Sequence, residues 1–249
     1  MYGFNLDRKS IYIFIGIILL ITLLNAGTFD IMITLLTLPG VILAMSFHEF
    51  AHAFVAYKLG DTTPKEQGRV TLDPIKHLDP IGTFLLIFAH LGWGKPVEIN
   101  PNNFSKISKG KGEVLVALAG PVMNFILAFI LTIIFYAIIV FGGVEVLTSM
   151  AGINVASIVL TMIYYAIVVN IGLGVFNLIP IPPLDGSKIF LRLLPWKAQR
   201  WINENILYIQ LIFMFLFVFN IFTYITAPVI EIVLTGIEFI VSKIFLPFI

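Results

Sequence analysis

Long apolar runs separated by short polar stretches set the pattern of this chain. The runs fall at about 10–27, 31–59, 113–141, 154–179, 206–225 and 227–246, each near the ~20 residues a helix needs to span hydrocarbon. They predict an all-α membrane protein of about six transmembrane helices. No repeat or appended soluble segment interrupts them, so residues 1–249 are expected to form a single polytopic domain. The first run follows Arg8 and Lys9, as the core of a signal peptide would. Its apolar core is long, however, and Asn25-Ala26-Gly27 is a poor cleavage site, so a retained helix is expected.

The segment 58–112 breaks the pattern. Arg69-Val70-Thr71-Leu72 and Pro96-Val97-Glu98-Ile99 have strand character, while 80–93 is an apolar run of about 14 residues, too short to span. A re-entrant, β-containing loop between helices 2 and 3 is therefore expected, dipping back towards the site. His77 and Asp79 invite a metal reading, but Asp79-Pro80 and nearby Gly82 are turn chemistry, so a structural turn is expected, and His90 reads as an interfacial residue.

Composition agrees with the bilayer: 59% of residues are hydrophobic and 12% charged. A net charge of +1 gives no reason to expect nucleic acid as a partner. The absence of Cys excludes disulfides, iron–sulfur clusters and a thiol nucleophile. All 15 Lys and Arg residues lie in 1–9, 58–112, 180–205 and 243–249, which would share one side of the membrane, and the opposite loops hold none. By the positive-inside rule both termini face the cytosol, and a multi-pass protein of the cell membrane is expected.

The candidate chemistry is concentrated in helix 2, where His48-Glu49-Phe50-Ala51-His52 lies in an apolar run. Imidazoles four residues apart share one helix face, so both can bind one zinc ion while Glu49 reaches a water beside it. With 4 His in the chain, this spacing around a Glu is not expected by chance. Polar groups at membrane depth are costly and mostly functional. His48 lies about 24 Å along a helix entering from outside, in the cytosolic half of the membrane.

A third ligand is offered further on. The fourth apolar run ends in Asn177-Leu178-Ile179-Pro180-Ile181-Pro182-Pro183-Leu184-Asp185-Gly186, whose prolines cannot continue a helix. Unwound backbone at this depth must line a cavity or protein, so Asp185 is expected on a non-helical strut near the depth of the His pair. In helix 3, Gly120-Pro121 permits close helix approach, and Asn124 brings an amide that lipid cannot satisfy, either for a helix-to-helix bond or for the site. Glu231 and Glu238, seven apart in helix 6, read as a seam packed on protein, with a gating or substrate-contact role as the alternative.

These residues closely resemble the site-2 protease family of intramembrane zinc metalloproteases. The likeness rests on His48-Glu49-Phe50-Ala51-His52 together with Asn177 through Gly186. Gly120-Pro121 with Asn124, His77-Leu78-Asp79-Pro80 and Gly92-Trp93-Gly94-Lys95-Pro96-Val97 extend it over roughly residues 10 to 200. The resemblance implies one zinc ion held by His48, His52 and Asp185, with Glu49 catalytic and Asn177 binding substrate. Asn124 is a further candidate substrate contact. It also implies a hydrolase acting on transmembrane-helix substrates within the lipid bilayer, in regulated intramembrane proteolysis. A short form is expected, without the PDZ or paired regulatory domain of some members. A metal transporter would spread its ligands along a path, and an inactive relative would have lost a ligand or the base; neither pattern is seen here.

Overall fold

The computed structural model describes residues 16, 30–80, 82–83, 94–142 and 155–248. Apart from Gly16, the expected first span at 10–27 lies outside the described residues, as does most of the apolar run 80–93. The helices are α1 (Ile31–Lys58), α2 (Thr63–Glu66), α3 (Lys109–Phe141), α4 (Val155–Asn177), α5 (Asp185–Leu191), α6 (Trp196–Glu204), α7 (Ile206–Val218) and α8 (Ile221–Phe245). Three of them, α1, α3 and α4, are long and apolar enough to cross a membrane.

The C-terminal part departs from the expectation of two spans at 206–225 and 227–246. The break falls at Phe219–Asn220, and α7 and α8 are bent by 72° there, so the pair counts at most as a fourth span. Asn220 has φ 59°, a left-handed conformation that Asn tolerates and that no α-helix can pass through. Apolar residues continue on both sides of the break, so the apolar runs alone did not place it.

Helices α1, α3 and α4 pack against one another and form the frame of the site. Asp30 starts α1 by accepting the N–H groups of Met32 (2.8 Å) and Ile33 (3.2 Å). Where α1 crosses α4, Gly40 is required: a Cβ there would lie 2.6 Å from Ala166 Cα. Ala128, Ile167, Ile171 and Val175 seal α3 to α4, with Ile230 and Val233 of α8 packed over them. Large apolar side chains such as Ile126, Ile130 and Ile134 of α3 remain exposed on the outer surface, which suits lipid rather than water.

Beyond α1 the chain is held by polar bonds. Asp61, fully buried, accepts from Thr63 N (3.1 Å), Thr63 Oγ1 (2.6 Å), Asn103 Nδ2 (3.0 Å) and Asn100 N (2.6 Å). Burial alone would raise its pKa; these hydrogen bonds outweigh burial and hold it below the ordinary carboxylate value. No strand forms among the described residues. The expected β character at 69–72 and 96–99 is not seen: Thr71 O and Val97 N bond to the side chains of His77 and Glu49, and the antiparallel bridge present among the described residues, Leu78 to Gly94, lies outside both stretches.

Candidate metal centre

His48 and His52 stand one turn apart on α1, both buried, with ring planes at 86° and centroids 4.6 Å apart. Each imidazole is fixed from behind. His52 Nδ1 donates to the Val116 carbonyl of α3 at 2.6 Å, and His48 Nδ1 to Asn124 Oδ1, also of α3, at 2.6 Å. The Asn124 amide is itself oriented, since its Nδ2 donates to Ala44 O of α1 (3.1 Å) and Asn170 Oδ1 of α4 (3.0 Å). Asn170 in turn donates to Ala166 O at 2.8 Å, so the network ends on a backbone carbonyl that can only accept.

The third group arrives on α5. The chain leaves α4 at Asn177, turns through 178–184, and Asp185 opens a new short helix. The strut expected to carry Asp185 is thus replaced at that residue by the first turn of α5. Gly186 is needed for this turn, because a Cβ there would lie 2.3 Å from Leu178 O. Beneath it, Leu184, Phe213 and Phe222 form an apolar cluster with Phe176 and Ile181. Helices α7 and α8 thereby support the Asp185 turn.

Asp185 Oδ2 lies 3.2 Å from His48 Nε2 and 3.0 Å from His52 Nε2, and the two Nε2 atoms are 3.0 Å apart. Since both Nδ1 atoms donate, neutral imidazoles present bare Nε2 lone pairs here. In that form three acceptor atoms converge, an arrangement that a cation in their midst relieves. Three donors of a tetrahedral zinc ion at about 2.0–2.1 Å would stand roughly 3.3–3.4 Å apart, close to the observed triangle. Donor type, tautomer and spacing all fit zinc, and His48, His52 and Asp185 form a group able to hold a metal. Gly120 of α3 keeps the space open: a Cβ there would lie 2.5 Å from His52 Nε2 and 2.6 Å from His48 Nε2.

Other residues surround this group. Lys188 Nζ holds the second oxygen of Asp185 at 3.1 Å. Glu49, next to His48 on α1, accepts the Val97 N–H on Oε2 at 3.0 Å. Asn124 is fully buried and its amide is committed to His48, Ala44 and Asn170, a different task from the substrate contact the sequence offered for it. Asn177, the last residue of α4, donates to Leu173 O at 3.0 Å. Among the described residues, Glu231 and Glu238 of α8 do not join the metal group. Sequence reasoning passed over Asn170, although an amide within an apolar span is a signal of its own. It also missed the Val116 carbonyl, which no sequence signal marks, since every residue carries one.

A buried His, His and Asp cluster beside a Glu, set among membrane-length helices, defines a metallohydrolase type of site in a multi-pass membrane protein. The chain belongs to peptidase family M50, the site-2 protease family, whose model matches residues 36–221. It is similar to the protein named "Putative zinc metalloprotease YwhC" of Bacillus subtilis (strain 168), 38% identical over 211 residues, covering 83% of this chain and 91% of that protein. Rip2 of Mycolicibacterium smegmatis, named in the same terms, is 29% identical over 169 residues, covering 61% of this chain and 54% of its own length. Rip2 of Mycobacterium tuberculosis is 29% identical over 155 residues, with the same coverage. This chain thus spans about half the length of the Rip2 proteins. No solved structure matches.

Proposed function

We propose that this chain is a zinc-dependent intramembrane endopeptidase that hydrolyses peptide bonds within transmembrane segments of other membrane proteins. The observation that carries the reading is the convergence of His48 Nε2, His52 Nε2 and Asp185 Oδ2 at 3.0–3.2 Å, with tautomers that leave all three as acceptors. These residues would hold one zinc ion. When bound, zinc supplies a Lewis acid that lowers the pKa of water and polarises a scissile carbonyl.

The remaining work falls to the chain itself. Glu49 takes the proton of the attacking water and passes it to the leaving nitrogen. Asn124 and the Val116 carbonyl hold the two imidazoles in register, since hydrogen bonds to the outer ring nitrogen set orientation and basicity. Asn177, at the end of α4 and eight residues before Asp185, would bind the substrate backbone. A helical substrate must unwind near the site because its carbonyls are already bonded within the helix. In the irregular stretch 95–100, the backbone groups of Glu98 and Ile99, which are not engaged by the bonds to Glu49, His77, Arg69 and Asp61, would pair with the unwound residues. Both termini and the segments 58–112 and 180–205 would face the cytosol, in keeping with the placement of Lys and Arg.

The test is to measure zinc content and cleavage of a single-span substrate for Glu49→Gln and Asp185→Asn side by side. Glu49→Gln should retain zinc and lose roughly 10²–10⁴-fold in rate, the usual contribution of a positioned base. Asp185→Asn should lose both, because a neutral amide is a poor zinc ligand. Cleavage by Glu49→Gln at the wild-type rate would refute the hydrolase reading and favour metal transport.

A further inference from the structure

The stretch from Arg69 to Asp79 has no part in the chemistry above, yet with Asp61 it carries the buried polar side chains among the described residues of the 58–112 segment. Arg69 is 4% exposed, and among the described residues no carboxylate lies within ion-pair distance of it. Its guanidinium instead grips two backbone carbonyls, Nη1 donating to Lys76 O and Nη2 to Lys95 O. Burying an unpaired charge is costly, and these charge-assisted bonds offset that cost only while both carbonyls stay in place.

His77, fully buried, adds a second tie. Its Nε2–H donates to Thr71 O at 2.7 Å, and its own carbonyl accepts from Lys95 N at 2.8 Å. Burial lowers its pKa, so it serves here as a neutral donor. The Leu78 to Gly94 bridge completes the attachment. Gly94 packs closely, since a Cβ would lie 3.0 Å from Met45 Cε and 3.2 Å from His77 O. Two residues after Lys95, the buried Val97 gives its N–H to Glu49 Oε2 at 3.0 Å.

We infer that Arg69, with His77, clamps the 94–97 segment against α1 and thereby positions Glu49, engaging Oε2 through the Val97 N–H and leaving Oε1 to take the proton. This rests on the proposed role of Glu49 as general base. Arg69 is a positioning residue, acting through the backbone from Lys95 to Val97. Two arms reaching carbonyls on separate stretches require a guanidinium; a Lys ammonium keeps the charge without the fork.

The full chain, purified with zinc, is compared as wild type, Arg69→Met, Arg69→Lys, Glu49→Gln and Arg69→Met/Glu49→Gln. Zinc content, kcat and KM on a single-span substrate, and backbone hydrogen exchange across 94–99 are measured. Arg69→Met should lower kcat roughly 10²-fold, the scale of a misplaced catalytic group. It should leave KM and zinc content unchanged and speed exchange across 94–99. Arg69→Lys should recover part of kcat, and in the Glu49→Gln background Arg69→Met should cost nothing further. A kcat within twofold of wild type in Arg69→Met, a rise in KM alone, an equal loss in the Glu49→Gln background, or loss of zinc from both Arg69 variants would each overturn the clamp. Glu49→Gln cleaving at the wild-type rate would instead remove the base assignment. An inactive Glu49→Gln beside a fully active Arg69→Met would overturn the clamp alone.

Discussion

Replacing Asn124 by Ala removes the hydrogen-bond acceptor behind His48 without touching any proposed ligand. The side chain makes three buried hydrogen bonds: from His48 Nδ1 at 2.6 Å, to Ala44 O at 3.1 Å and to Asn170 Oδ1 at 3.0 Å. Two consequences separate. Without Asn124 Oδ1 the His48 ring is free to rotate or change tautomer, and outer-sphere partners of this kind contribute roughly 10- to 100-fold in metal affinity. That corresponds to about 1.4–2.8 kcal/mol of zinc binding. The second consequence is stability, since His48 Nδ1 and Asn170 Oδ1 lose a buried partner. Interhelical hydrogen bonds in membranes average about 0.6 kcal/mol, so a loss of about 1–2 kcal/mol is expected for the apo protein. Zinc affinity is measured by chelator competition in detergent, and apo stability by thermal unfolding of the same samples. Asn124→Asp provides the contrast: it keeps an acceptor for His48, now charged, and should hold zinc at least as tightly as wild type while losing the donors to Ala44 and Asn170. Zinc affinity in Asn124→Ala within twofold of wild type would refute the argument that this amide holds the imidazole.

Gly120→Ala should lose stoichiometric zinc, because the added methyl would lie 2.5 Å from His52 Nε2; metal analysis of purified protein reads this, and full zinc content would refute it. For topology, single Cys residues replacing Gly110, Leu147 and Ala198 in this Cys-free chain should react with an impermeant reagent in sealed cells only at 147, and labelling at 110 or 198 would reverse the orientation. Asp61 has a lowered pKa in the folded chain, so its contribution is fully present above the ordinary carboxylate value near about 3.9 and lost as pH falls through the depressed one. Asp61→Asn should therefore lower stability at neutral pH and flatten its acid dependence in thermal unfolding; unchanged stability and acid dependence would contradict the role assigned to the four bonds at Asp61.

The amino-acid sequence by itself determined the long apolar helices and the pairing of His48 with His52. Both are local: hydrophobic runs of spanning length fold as helices, and a four-residue separation puts two side chains on one face whatever surrounds them. Family resemblance and shared depth also brought Asp185 into consideration, although its neighbours promised a strut and the chain instead begins α5 there. Only the tertiary structure decided which atoms meet. The Val116 carbonyl behind His52, the Val97 amide on Glu49 and the carbonyls gripped by Arg69 are backbone groups, identical at every residue and therefore unmarked in sequence. Asn170 carries an amide that hydropathy could flag, but its partner Asn124 lies 46 residues away on another helix. The break at Phe219–Asn220 likewise emerged only in the fold: Phe213 and Phe222, on its two sides, close over Leu184, a contact between distant stretches that the apolar pattern of 206–246 does not encode.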